Sequence, residues 1–220
     1  MFVGHYAVSF YLKARQPRVP LWVLFVAVQL VDVIWGLLVL AGIEKLEMVP
    51  GITRASPLDL VYVPYTHSLV ASIGWSLLSF WLWFRIRDRT AGGAAAAFII
   101  GVAVLSHWVA DFLVHRPDLP LYDNSAKVGL GLWNYPVLSF PLEVGLVGAM
   151  MWLWFRASKG VARGRNLVIF WAAMTVAQVF TNFGPLPSSP VHFVLLALGF
   201  YAVFALASRT CEPIPSIPAA

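Results

Sequence analysis

Runs of about twenty residues almost free of charge recur along this chain, and they constrain its fold more than any other feature. An α-helix rises about 1.5 Å per residue and a bilayer core is about 30 Å thick, so each such run is the length of one membrane crossing. Candidate spans fall at 21–42, 64–84, 93–115, 139–155, 167–182 and 191–207. The fifth is short, and its ends are expected to extend further. Only 11% of the 220 residues are charged and 60% are hydrophobic, with a mean hydropathy of +0.79, whereas a soluble domain carries roughly 25% charged residues. A water-soluble surface is excluded. The predicted fold is all-α: a polytopic membrane helical bundle of about six transmembrane helices, with 1–220 forming a single integral membrane domain. Residues 1–12 are too few to span and read as a short N-terminal interfacial or re-entrant helix.

Basic residues set the expected orientation. Lys13, Arg15 and Arg18, then Arg85, Arg87 and Arg89, then Arg156, Lys159, Arg163 and Arg165, then Arg209 fall on alternate connections. That side is predicted to be cytoplasmic, with both termini on it. Only Lys45, Arg54, Arg116 and Lys127 fall on the other side. The net charge of +5 is explained by these loops, so nucleic acid is not an expected partner. The lipid bilayer is. Ten Trp and 15 Phe, many near the ends of apolar runs, fit aromatic belts at headgroup level. A single cysteine, Cys211, excludes an intrachain disulfide framework and a cysteine-rich metal site. The apolar stretch of 1–12 has no basic residues before it, so it reads as mature chain rather than a cleaved signal. Richness in Ala, Arg and Trp suggests a bacterial genome. Two long connections, 43–63 and 116–138, lie on the outer side, rich in Pro, Asp and Tyr, and are candidate lids.

Ionisable residues within the apolar runs carry the functional signal. His107, Asp111 and His115 stand at i, i+4 and i+8 and share one helix face. An imidazole followed one turn later by a carboxylate can present two ligands to one metal; the alternative is a hydrogen-bonded polar seam between helices. Thr66-His67-Ser68 begins the second span, either as a ligand site or as a capping Thr with an interfacial His. Asp32 lies deep in the first span, where a carboxylate costs about 2.5 to 3.5 kcal/mol on insertion scales. A divalent cation, a His, or a structural hydrogen bond to Trp or Ser would offset that cost. Depth along the helices lets Asp32 and His107 meet, with Asp111 higher and His67 nearer the mouth. A re-entrant first helix would carry His5 towards Asp32; a flat one would leave it at the interface. Glu143 in the outer half of the fourth span needs a partner, as general base or as structural glue. His192 reads as interfacial, and Asp59, Asp118 and Asp123 as solvated loop acids.

Together, Gly4-His5, Asp32, Thr66-His67-Ser68-Leu69 and Leu105-Ser106-His107-x-x-x-Asp111 resemble the YdjM-type bacterial inner-membrane family of metal-dependent hydrolases. Order and approximate spacing match over roughly the first 120 residues. That family's His/Asp order is in turn similar to the zinc-dependent phospholipase C class. The resemblance implies His5, Asp32, His67, His107 and Asp111 as metal ligands. Two departures stand out: Tyr62-Val63-Pro64-Tyr65 replaces the His-Arg-Gly that usually precedes Thr-His-Ser-Leu, and the Pro-Asp-x-Asp-His pattern is reduced to Asp32.

The expected function is a membrane-embedded hydrolase holding one or two divalent ions, zinc before others, and acting on an ester or phosphoester of a lipid or lipid-linked substrate from the non-cytoplasmic side. Glu143 or Asp32 would take a proton, and His115 with Arg116 would hold an anionic leaving group. A small transporter or proton-coupled carrier with an Asp/His/Glu relay, or a non-catalytic scaffold clamped by metal, are the alternatives.

Overall fold

The computed structural model describes residues 1–87, 91–160 and 162–212, with the side chain of Ala91 excluded. Arg89, one of the basic residues expected on the cytoplasmic side, and the last eight residues of the expected single domain lie outside the described residues. In chain order the elements are α1 (His5–Arg15), α2 (Leu21–Val28), α3 (Leu30–Leu40), β1 (Lys45–Met48), β2 (Leu58–Tyr62), α4 (Leu69–Ile86), α5 (Ala91–Val114), α6 (Pro136–Ala157), α7 (Gly164–Phe183) and α8 (Pro190–Ser208). The fold is a helical bundle with one small antiparallel hairpin, β1–β2. Among the described residues, five helices are long and apolar enough to cross a membrane, and α2 with α3 would make a sixth if the bent pair is one span. The fifth span is longer than its apolar run, because α7 takes in polar residues from Gly164 onward.

The first span departs from the single helix expected over 21–42. It is bent by 50° at Gln29. Neither proline nor glycine stands there; the imidazole of His107 takes the Val28 carbonyl instead, through an Nδ1 contact of 2.8 Å. A side chain inserted into the i→i−4 ladder is a recognised cause of a sharp kink. The break also puts Asp32 in the first turn of α3.

Helix α1 resolves the choice between a flat and an inserted N-terminal segment. His5, Tyr6, Ala7, Ser9, Phe10, Leu12 and Lys13 are all buried, so α1 lies within the bundle rather than along its surface. Tyr6 stacks on Phe25 at 4.4 Å, and Phe10 packs edge-on to Phe25 and against Trp154. Its C-terminal end is tied by Lys13, whose Nζ donates to the carbonyls of Pro17 and Val19 and pairs with Glu212. Helices α4 and α5 approach closely at Gly101, where a Cβ would sit 3.2 Å from the Ser76 carbonyl oxygen. The outer face of α4 exposes Val70, Ile73, Leu77 and Trp81, an apolar surface suited to lipid.

Both long connections fold over one end of the bundle. Lys127 Nζ donates to the carbonyls of Leu60 and Val61, Asn124 Oδ1 accepts from Val63 N, and Leu69 N donates to Pro120 O. A bridge between Leu119 and Val128 closes the second connection, and Gly129 seats it on the end of α5. A Cβ at Gly129 would lie 2.3 Å from the Arg116 carbonyl oxygen and 2.5 Å from that of His115, so only glycine permits this contact.

Candidate metal centre

Three helices and one turn bring His5, Asp32, His67, His107 and Asp111 together. His5 opens α1, Asp32 sits just past the break before α3, and His107 and Asp111 share a face of α5. His67 is in the turn before α4. There Ser68, not Thr66, is the N-cap: its Oγ accepts from Ala71 N and donates to the Pro64 carbonyl. Trp108 Nε1 donates to the His67 carbonyl at 2.9 Å, fixing the turn against α5. All five side chains are buried.

The atoms converge on one small volume. Asp32 Oδ1 is 3.2 Å from His67 Nε2 and 3.2 Å from His107 Nε2. Asp111 Oδ2 is 3.1 Å from His107 Nε2 and 3.8 Å from His67 Nε2, while its Oδ1 is 3.1 Å from His5 Nε2. The imidazoles of His5 and His107 stack at 4.0 Å. The column with Asp111 above and His67 near the mouth is therefore corrected to a single cluster; the bend at Gln29 and the turn before α4 put Asp32 and His67 at one level. Two overlapping groups, His5–His107–Asp111 and Asp32–His67–His107, have ligand atoms close enough to hold a metal ion.

Hydrogen bonds behind the cluster fix which nitrogens face it. A carbonyl oxygen only accepts, so His107 Nδ1 carries the hydrogen it gives to Val28 O, leaving the Nε2 lone pair towards the carboxylates. Thr66 Oγ1 donates to Glu44 Oε2 at 2.6 Å and lies 2.9 Å from His67 Nδ1, which it accepts from, so His67 also presents Nε2. Glu44 is held in turn by the backbone N–H groups of Tyr65 and Thr66. Burial raises the Glu44 carboxyl above its ordinary range, and these hydrogen bonds act against that rise. Tyr201 donates to Asp32 Oδ2 at 2.6 Å, aiming Oδ1 at the histidines. Such outer partners orient metal ligands and fix their tautomers.

The donor set fits a divalent cation. His107 Nε2 makes no hydrogen bond although two carboxylate oxygens approach it, and neither ring nitrogen of His5 has a hydrogen-bond partner. Close approach without alignment is poor hydrogen bonding but suits ligands of one ion. Ligand atoms about 2.05 Å from a common ion lie roughly 2.9 Å apart in octahedral and 3.3 Å apart in tetrahedral arrangement, and the shortest separations here are 3.1 to 3.2 Å.

The remaining candidates are placed less uniformly. Glu143 is buried with Oε2 accepting from the backbone N–H groups of Phe2 and Gly4, and Oε1 has no partner. His115 Nδ1 donates to Asp118 Oδ1 at 3.0 Å, and its Nε2 is 3.8 Å from Asp111 Oδ1. Arg116 pairs with Asp59 and Asp118 and does not line the cavity beside the cluster. Asp118, expected as a solvated loop acid, is buried, because it bridges His115 and Arg116. The amino nitrogen of Met1 pairs with Asp111. His192 is at the exposed start of α8, hydrogen-bonded to Ser188 and Ser189, as its position suggested. Sequence reasoning missed Glu44, Tyr201 and Asp118. A hydroxyl inside the apolar run of α8 was the one available hint for Tyr201, and the three-residue spacing from His115 for Asp118; Glu44 gave none.

A cavity of about 110 Å³ is lined by Asp32, His67, Asp111, His115, Glu143 and Gln178. It is also lined by apolar residues of α7, α8 and the connection between them, including Phe180, Leu186, Phe193, Leu196 and Phe200, and by Leu58 and Leu60 of β2. A scan against protein-family models, a search of curated proteins and a search of solved structures each return no match for this chain.

Proposed function

We propose that this chain is a membrane-embedded, metal-dependent hydrolase that cleaves an ester or phosphoester of a lipid or lipid-linked substrate from the non-cytoplasmic side of a bacterial inner membrane. The observation that carries the reading is a buried set of His and Asp ligands, of which Asp32, His67 and Asp111 reach the wall of a cavity also lined by apolar side chains. His5, Asp32, His67, His107 and Asp111 would hold one or two divalent ions, with zinc favoured by the mixture of imidazole and carboxylate. His107 Nε2 has one lone pair and belongs to both candidate groups, so it would serve only one of two ions. When bound, the ion lowers the pKa of a water and neutralises charge developing on the substrate.

The chain's own residues then divide the work. Glu143 Oε1, buried, unpartnered and on the cavity wall, accepts the proton released as the water oxygen bonds to the carbonyl carbon or phosphorus. The same proton passes to the alcohol oxygen as its ester bond breaks. Backbone N–H groups of Phe2 and Gly4 hold Glu143 in place. Tyr201, Thr66 and Asp118 hold Asp32, His67 and His115. Arg116 is already engaged by two carboxylates, so it is left out of leaving-group binding. The cytoplasmic side is assigned to the ends of α4 and α6 where Arg85, Arg87 and Arg156 lie over Trp81, Trp83 and Trp152, together with Lys13 and Arg209.

Metal analysis of purified protein, followed by incubation with membrane lipid extracts beside chelated protein, tests the reading. The expected result is at least one zinc per chain and a lipid product formed only by the loaded protein. A parent protein without metal would count decisively against it. The break at Gln29 supports a second reading, a proton-coupled carrier, because broken helices whose freed backbone lines a site are a feature of carriers. Solute flux into proteoliposomes with no covalent product would favour the carrier. Bound zinc with no position open to water would instead mark a structural clamp.

A further inference from the structure

Residues of α8 that line the cavity are Phe193, Leu196, Ala197, Phe200 and Tyr201, spaced i, i+3, i+4, i+7 and i+8. One stripe of the helix therefore faces the cavity for two turns, about 12 Å. The stripe ends at Tyr201, whose hydroxyl holds Asp32. Across from it, the last two turns of α7 contribute Gln178, Phe180, Thr181 and Asn182. Several lining residues are also surface residues: on the two helices, Phe180 is 48% exposed, Leu196 is 38% exposed and Thr181 is exposed as well. Leu186 in the connection does the same at 54%. A residue that both lines a cavity and reaches the outer surface of the bundle marks where the cavity opens. Here the exposed lining residues stand on α7, α8 and the connection between them, while residues 55–58 and Leu60 close the cavity on the hairpin side.

The opening is not polar throughout. Gln178, buried, accepts from Val3 N and donates to Asn182 Oδ1, giving a short polar edge that leads from Glu143 outward along α7. The α8 side is hydrocarbon and aromatic. A ligand matching both would be an amphiphile, with a polar head against the His/Asp wall and a chain along α8. A small polar solute would leave the α8 stripe unsolvated and unfilled.

We infer that the gap between α7 and α8 is a lateral portal through which one hydrocarbon chain of a lipid leaves the site for the bilayer, and that Ala197 sets the width of that portal. This deepens the proposed function and rests on its lipid substrate, but it makes a claim about binding that holds whether or not turnover is found. Ala197 is the small member of the stripe, between Phe193 and Phe200 on the same face. A larger side chain there narrows the path at a position that is not itself a metal ligand.

The test uses the full chain in nanodiscs containing a phospholipid with a photoactivatable diazirine at the end of one acyl chain, with adducts mapped by mass spectrometry. Expected adducts fall on Leu196, Ala197 and Phe200 of α8 and on Phe180 of α7, and Ala197→Trp lowers them at least tenfold while adducts on the lipid-facing Leu77 and Ile73 of α4 stay unchanged. The α4 adducts show that the variant is folded and inserted. Ala197→Leu, a smaller increase, gives an intermediate loss and covers the case in which tryptophan is not tolerated. Adducts confined to α4 and other outward faces, or α7–α8 adducts indifferent to both substitutions, would overturn the portal. Cavity adducts without hydrolysis of any lipid would uphold the portal and sink the hydrolase instead, so the two failures are distinguishable.

Discussion

Two histidines of the centre have Nδ1 committed to an acceptor outside the cluster, a backbone carbonyl for His107 and the Thr66 hydroxyl for His67; beside the centre, His115 gives its Nδ1 hydrogen to Asp118. Committing Nδ1 frees Nε2 as a ligand before any ion arrives, so the cost of selecting the tautomer is met in the folding of the chain. Thr66→Val removes the hydroxyl that orients His67 without touching a ligand, and is expected to weaken zinc binding about 10- to 100-fold, as measured by competition with a chromophoric chelator. Asp111→Asn removes a carboxylate that approaches His5, His67 and His107, and is expected to weaken binding more than about 100-fold. Unchanged affinity in Asp111→Asn would remove Asp111 from the centre.

At the scale of elements, the centre is assembled by departures from regular helix. The bend between α2 and α3 frees the Val28 carbonyl for His107 and sets Asp32 in a first turn. Helix α1, too short to cross a bilayer, inserts among the others to bring His5 against His107. The connection after α5 doubles back tightly enough to place Asp118 behind His115, and that return depends on Gly129, where a Cβ would meet two backbone carbonyl oxygens. Gly129→Ala is expected to destabilise the fold by about 1 to 3 kcal/mol and to raise hydrogen exchange in residues 116–131, with less change in α7. Equal protection of that loop in parent and variant would show that the close approach does not hold it.

For the whole molecule, an ion held by the cluster would link metal binding to stability. An ion that binds the folded bundle and not the unfolded chain stabilises it by about 2.7 kcal/mol at a free concentration 100 times its dissociation constant. For a chain of this size that corresponds to a rise of about 5 to 10 °C in melting temperature. Chelation of the purified protein is therefore expected to lower the melting temperature by that amount, and zinc to restore it, with Asp111→Asn showing neither change. An equal melting temperature with and without chelator in the parent would mean that the cluster is stabilised by its own hydrogen bonds, not by an ion.

How much of this the sequence contained differs by kind of information. Apolar run length and the scarcity of charge determined a membrane helical bundle by themselves, because hydrocarbon admits only helices and closed barrels, and barrel strands are short and alternate in polarity where these runs are long and uniformly apolar. The intramembrane ionisable residues were legible for the same reason: a carboxylate such as Asp32 in an apolar run demands a partner wherever it ends up. His107 and Asp111 could be paired from spacing alone, since one helix turn fixes their geometry. Partners that meet across the fold could not. Nothing local in the sequence ties Tyr201 to Asp32, Glu44 to His67 through Thr66, or Val28 to His107, and no helix-breaking residue marks the bend at Gln29. Those contacts depend on how helices pack and where a ladder is interrupted, which are properties of the assembled bundle; only the tertiary structure decided them.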